Sequence, residues 1–326
     1  MKKFILISLV LFFSWSKADA QLIPVLGGQR AGISTAQFLK IGVGGRASAL
    51  GDAFIAISND ASALYWNPAG LVQFEKNQVI FSHNKWVVDI NHDFLGGVYH
   101  FGGNYAIGVS LTGLSMDDMP VTTEFAPFGT GQFFSFSDLA IAVTYSQKMT
   151  DKFSFGATVR YIEETLDKLK MRGVMIDLGT YYWTGLGSTR FAVVVSNFGA
   201  ELAPDGEVVL VGKRKKSDWQ SFAPPTMFRI GFAFEPYESK EHKLTTSLQL
   251  NHPNDNSENF AVGLEYVWNK ILFIRGGYKF NVDEQDYSFG AGLNVPISIA
   301  EFTLDYSFSN FQRLGSAHRF SIILGF

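Results

Sequence analysis

The residues of this 326-residue chain that could do chemistry are spread out rather than gathered. Its six histidines are His83, His92, His100, His242, His252 and His318, and no pair has the spacing of a metal site. A wall-borne hydrolase would need a serine, a histidine and an acid or amide in contact. Ser82 and His83 are neighbours in sequence, so on a strand they face opposite sides. His100 and Ser110 could approach across a hairpin, but nothing near them marks an activated nucleophile. Cysteine is absent, which removes thiol nucleophiles, thiolate metal sites and disulfides at once. The expectation is a non-enzymatic chain with no metal and no cofactor.

The charged residues follow a different pattern. Arg160, Asp177, Arg229, Glu265, Arg275 and Asp305 each lie opposite the apolar face of an alternating segment. Such charges either line a polar pathway or brace a wall as structural pairs, and the second reading is preferred. Lys213-Arg214-Lys215-Lys216 sits on a long connection. It suits the phosphates of lipopolysaccharide or an acidic partner, and as a bare pattern it is also an ordinary solvated run. Another long connection, 113–134, reads GLSMDDMPVTTEFAPFGTGQFF and carries Met116, Met119, Phe125, Phe128, Phe133 and Phe134. Apolar side chains at this density on a loop point to a partner or greasy ligand, or to a loop folded into a mouth. A formal charge of -3 provides no overall field for nucleic acid.

The elements that carry these residues are strands. From Gln78 onward apolar and polar residues alternate with period two. In the last segment Phe320, Ile322, Leu324 and Phe326 oppose Arg319, Ser321, Ile323 and Gly325. Aromatics reach 15%, with 31 Phe and 12 Tyr, while mean hydropathy is only +0.09. That mixture fits many alternating strands better than apolar helices. About fourteen strands are expected, near 78–86, 92–101, 105–112, 135–147, 153–164, 172–183, 189–197, 225–235, 242–251, 258–268, 271–280, 286–294, 299–308 and 318–326. The fold class is all-β, a transmembrane antiparallel β-barrel. An even strand number puts both termini at the periplasm, with long connections outside and short turns inside. Gly96-Gly97 within the second strand is a candidate for a bulge and a gap in the wall.

Ahead of the strands stand two segments of other kinds. Residues 1–20 read as a secretory signal: basic Met1-Lys2-Lys3, an apolar run from Phe4 to Trp15, then Ala18-Asp19-Ala20 before the expected cleavage near Ala20. Residues 21–77 then form a plug or hatch, and 78–326 the barrel. The core of the hatch is GVGGRASALGDAFIAISNDASALYWNPAGL, Gly42 to Leu71. Its small residues allow close approach to a wall. Asn59-Asp60 are placed to cap a short helix over 61–65, and Pro68 ends it at Asn67.

This stretch, NDASALYWNPAGL with the preceding GRASALGDAF, resembles the PorV/PorQ family of outer-membrane proteins, which is similar to the FadL-like transporters of hydrophobic compounds. The match spans about thirty residues, and the terminal Phe326 resembles the C-terminal signal of outer-membrane barrels. The resemblance implies the outer membrane of a Gram-negative bacterium, in contact with its lipid and lipopolysaccharide. The plug-motif positions it singles out are Gly45, Arg46, Gly51, Asp52, Asp60, Asn67, Pro68 and Gly70. Two functions follow from it. One is a binding and shuttle component of type IX secretion, with secretion proteins and secreted cargo as partners. The other is a passive transporter whose ligand is a hydrophobic small molecule.

Overall fold

The computed structural model describes residues 32–102, 104–209, 215–297 and 300–326. The expected leader and the start of the hatch lie outside them. Fourteen antiparallel strands close into one barrel. They are β1 (Gln78–Lys85), β2 (Asn91–Phe101), β3 (Tyr105–Ser115), β4 (Phe136–Lys148), β5 (Phe153–Leu166), β6 (Leu169–Trp183) and β7 (Arg190–Gly199). There follow β8 (Met227–Glu238), β9 (His242–Pro253), β10 (Asn259–Trp268), β11 (Leu272–Phe280), β12 (Tyr287–Ile297), β13 (Ala300–Asn310) and β14 (Ser316–Gly325). Closure runs through β1 and β14, from Gln78 opposite Gly325 to Lys85 opposite His318. Phe326 N adds a bond to Asn77 O at 2.9 Å. Every strand therefore has two neighbours, which is what a hydrocarbon solvent demands of backbone polar groups.

The period-two pattern sorts the side chains as expected. Phe81, Leu95, Val109, Ile141, Val159 and Ile176 lie exposed on the outer surface. Arg160, Asp177, Arg229, Glu265, Arg275, Asp305 and Arg319 are buried on the inner one. The outer face suits lipid and the inner face does not. Connection length follows the expected alternation with two exceptions. The turn joining β5 to β6 has only residues 167 and 168, though it lies at the rim of long loops. The link from β7's neighbour β6 at the opposite rim spans six residues, 184–189. In the first case β5 and β6 themselves run to 14 and 15 residues and carry the chain out in place of a loop.

The interior is filled by the chain's own N-terminal segment. It contains helices α1 (Gly45–Ala49) and α2 (Ala63–Trp66), with 3-10 turns at Gln37–Lys40 and Pro68–Gln73. The hydrophobic core lies here, not between sheets. Leu50, Phe54, Ile55, Ile57, Leu64, Trp66 and Leu71 pack on Ile80, Phe94, Val98, Ala192 and Val194 of the wall. Each buried leucine, isoleucine, valine or phenylalanine among them contributes about 1.5–3 kcal/mol. Fourteen strands enclose more space than their own side chains fill, so the plug supplies the core that the barrel lacks.

Candidate functional site

The plug is seated by glycines of the wall as much as by its own small residues. Eight inward positions on eight strands are Gly96, Gly108, Gly156, Gly179, Gly231, Gly263, Gly277 and Gly290. A Cβ at any of them would collide with another part of the molecule. At Gly96 and Gly108 the obstacle is Leu64, at Gly156 the backbone of Pro68-Ala69, and at Gly277 the backbone of Leu50-Gly51. The sequence reading looked for small residues in the hatch and missed their partners. The signal was present as inward glycines recurring at mid-strand.

The motif residues act as fasteners. Arg46 of α1 forks onto Glu265 of β10, Nε to Oε2 and Nη2 to Oε1, both at 2.9 Å. Its Nη1 donates to Asn59 Oδ1 at 2.7 Å and Asp60 Oδ2 at 2.8 Å. Glu265 also accepts from Arg275 Nε at 2.7 Å, and Arg275 Nη1 reaches Asp305 at 2.5 Å. The plug is thus tied to three strands by one chain of charge-assisted bonds. Asp52 pairs with Lys279 of β11. Gly45 abuts the backbone of Asp305, and Gly51 takes a positive φ of 64° against Gly277-Tyr278. Gly70 packs on the backbone of Ser58, where no larger residue fits.

The caps differ in detail from expectation. Helix α2 begins two residues late, at Ala63, because Asp60 Oδ1 takes Ser62 N at 2.9 Å and forms a turn there. Asn67 caps the following 3-10 turn, accepting from Ala69 N at 3.0 Å. Its amide donates to Ile55 O at 3.0 Å and, across to β6, to Thr180 O at 3.1 Å. Pro68 opens that turn, a position where its missing N–H costs nothing.

The inward charges are mostly paired. Arg160 meets Asp177 at 2.7 Å where the β6–β7 register shifts between Ile176 and Leu178. Arg229 has no carboxylate partner among the described residues; it donates to Ser196 Oγ at 3.0 Å and lies over Trp66. Gly96-Gly97 was a candidate for a bulge, and the ladder is regular there. Both β1–β2 and β2–β3 run through the pair without a register shift. Gly96 faces Leu64 and leaves no slack, whereas Gly97 faces outward with no atom near its missing Cβ. The result is a lipid-side hollow of about 410 Å³ edged by Val79, Leu95, Val109 and Ile141, not a gap. His100, weighed above with Ser110, instead bonds Leu71 O at 2.8 Å, and Ser110 stands opposite Gly96.

The tip of the apolar loop is exposed. Strand β3 runs on to Ser115, so the loop proper starts at Met116. Met119–Pro120 and Phe133–Phe134 pair as a short ribbon. At its tip Phe125 is 96% and Phe128 101% exposed, so neither covers the plug. Phe133 is exposed as well. In the basic loop, Lys213 and Arg214 lie outside the described residues. Lys215 and Lys216 pair with Val208–Val209, and the Lys216 ammonium lies 4.8 Å from the Trp219 ring centre.

One fastener lies at the loop rim. Asp255, between β9 and β10, accepts from Gln37 Nε2 at 2.8 Å and Lys40 Nζ at 2.9 Å. Burial alone would raise this carboxyl, but the Gln37 bond and then the Lys40 bond and charge hold it below its ordinary value. A depressed folded pKa gives stability that is complete above the unfolded value, about 3.9, and is lost as pH falls through the folded one. Residues 37–40 should therefore lose hydrogen-exchange protection, corrected for intrinsic rates, on going from pH 6 to pH 3. Unchanged protection would show that this contact does not anchor the turn.

Solved structures with the same architecture are numerous. The monoaromatic hydrocarbon channel CymD superposes with a TM-score of 0.57 at 15% identity, over 87% of this chain and 96% of that one. The toluene transporter TbuX of Ralstonia pickettii gives 0.56 at 14%, over 87% and 97%. A FadL homologue of Pseudomonas aeruginosa gives 0.55 at 13%, over 92% and 99%. At these identities the likeness is one of fold alone. No curated protein sequence matches the chain. The family described as "Type IX secretion system protein PorV" matches residues 27–253, which take in the plug motif and the first nine strands. With well over half its length matched, the chain belongs to the PorV family of type IX secretion outer-membrane barrels.

Proposed function

We propose that this barrel is a non-enzymatic docking component of type IX secretion, receiving secreted cargo or secretion proteins at its extracellular rim. The observation that carries the reading is the Phe125–Phe128 ribbon tip, two fully exposed aromatics on a barrel whose interior holds a packed plug. Bare aromatic rings in water are costly, and rings of this kind commonly anchor protein interfaces. The family match supports the secretion context. Residues 21–77 act in this reading as a fixed hatch, and the basic loop around Lys216 faces the same rim.

The other reading is passive transport of a hydrophobic small molecule. Its support is the shared fold with aromatic-hydrocarbon channels, and fold alone does not fix function. Passage would require the plug to leave eight glycine seats and one buried ion network, which favours docking. The test is a chromosomal Phe125→Asp/Phe128→Asp variant. Both side chains are on the surface, so barrel stability should stay within about 0.5 kcal/mol. Surface delivery of cargo should fall at least tenfold. Undiminished delivery by a folded variant would remove the ribbon from the function.

A further inference from the structure

Asp138 of β4 and Glu164 of β5 are direct cross-strand partners at the loop rim. Asp138 is only 4% exposed, and its Oδ1 has no hydrogen-bond partner among the described residues. Glu164 accepts from Thr35 Oγ1 at 2.6 Å and from Ala36 N at 3.0 and 3.1 Å. Neither carboxylate forms an ion pair among the described residues; the nearby Lys40 is held by Asp255. Like charges placed directly opposite in a ladder repel, and buried charges are ordinarily paired. Here two acids are set side by side, and the lysine that lines the same cavity, Lys40, is engaged by Asp255 rather than by either of them.

Both line a cavity of about 590 Å³ between the plug turn and the rim. That is the size of an ordinary small-molecule site. One side of its wall is apolar, with Trp86, Phe136 and Phe311 beside Ile90 and Leu114, and the plug turn adds the polar Ser34, Gln37 and Lys40. A calcium ion takes six to eight oxygen ligands, several of them carboxylate, and among the described residues no group of three or more His, Cys, Asp or Glu is placed to hold a metal. Two carboxylates at one side of an aromatic chamber match a different shape of charge: an ammonium carried on an apolar body, attracted both by the acids and by the ring faces.

We propose that this rim cavity binds an organic cation, a primary alkyl- or arylammonium, with its charge between Asp138 and Glu164 and its apolar part against Trp86, Phe136 and Phe311. The site stands apart from the secretion role and does not depend on it. A primary ammonium also ends a lysine side chain, so free amines and polypeptides present the same group.

The experiment is calorimetric titration of the full chain in lipid nanodiscs, with empty nanodiscs subtracted. The probes are hexylammonium chloride, neutral hexanol, calcium chloride and Nα-acetyl-lysine amide. Hexylammonium should bind at least tenfold more tightly than hexanol. Asp138→Asn and Glu164→Gln should each weaken it at least tenfold, while Asp117→Asn on the exposed loop leaves it unchanged. If Asp138→Asn does not fold, the Glu164→Gln result decides alone. Tighter binding of hexylammonium than of the lysine derivative assigns the site to free amines, and the reverse order to a polypeptide. Equal binding of hexanol, saturable calcium binding that displaces the amine, or indifference to both acid substitutions would overturn the proposal.

Discussion

Replacing Gly277 by valine should unseat the plug. The new Cβ would occupy the place of the Leu50-Gly51 backbone, which cannot rotate away as a side chain can. Overpacking a core costs about 1–3 kcal/mol where side chains can shift, and a backbone obstacle puts this case at the upper end or beyond. Gly156→Val should behave alike, since it meets the backbone of Pro68-Ala69 from the other side of the barrel. Gly276→Val and Gly97→Val make natural controls. They sit one residue away or on β2, face outward, and have no atom within 4 Å of the added Cβ. The measurement is heat-modifiable migration on gels together with protease sensitivity of the plug. The inward variants should lose the compact form at lower temperature and expose residues 42–71 to cleavage. Equal behaviour of inward and outward variants would mean that the plug is not seated on the glycines.

A comparable loss is expected from Glu265→Ala. This carboxylate is 3% exposed and joins Arg46 of the plug to Arg275 of the wall. Its removal leaves two guanidiniums facing each other with one carboxylate fewer between them, only Asp60 and Asp305 remaining. Deleting one partner of a buried pair costs about 3–5 kcal/mol. The penalty arises from the excess of positive charge, so removing Arg46 as well should recover part of it. The double variant Arg46→Met/Glu265→Ala should therefore be more stable than Glu265→Ala alone, with a coupling energy of about 0.5–3 kcal/mol. Strictly additive losses would show that the two residues do not act as a pair. The effect should also be insensitive to salt, because buried pairs are little screened.

Much of this architecture was legible in the residues. Alternation such as Phe320-Ser321-Ile322-Ile323-Leu324 needs only the two-residue period of a strand, and that period is local. The strand number followed from counting such runs, and it agrees with the closed barrel. The side to which Arg160, Glu265 and Arg275 point was readable for the same reason. What escaped the sequence depends on pairs far apart in the chain. Nothing local distinguishes Gly96, pressed on Leu64, from Gly97, which faces open space; only the third dimension does. Asp138 and Glu164 are 26 positions apart and become neighbours only through the β4–β5 ladder. Helix α1 was hidden because GRASA is short and uncapped by any side chain, and it is held by Glu265 from far along the chain. The ribbon at 119–134 is of this kind too. Its apolar content was visible, and the pairing that leaves its tip exposed was not.

The central claim is that a permanently plugged barrel presents the Phe125–Phe128 tip to secretion partners. It is tested most directly by placing a photoreactive amino acid at Phe125 or Phe128, irradiating cells, and identifying what is bound by mass spectrometry of the gently purified barrel. The account predicts adducts with type IX secretion proteins or with cargo sharing a C-terminal domain, and no stoichiometric lipid inside the barrel. Recovery of an uncoupled barrel carrying one apolar small molecule per chain would contradict it and make this a transporter.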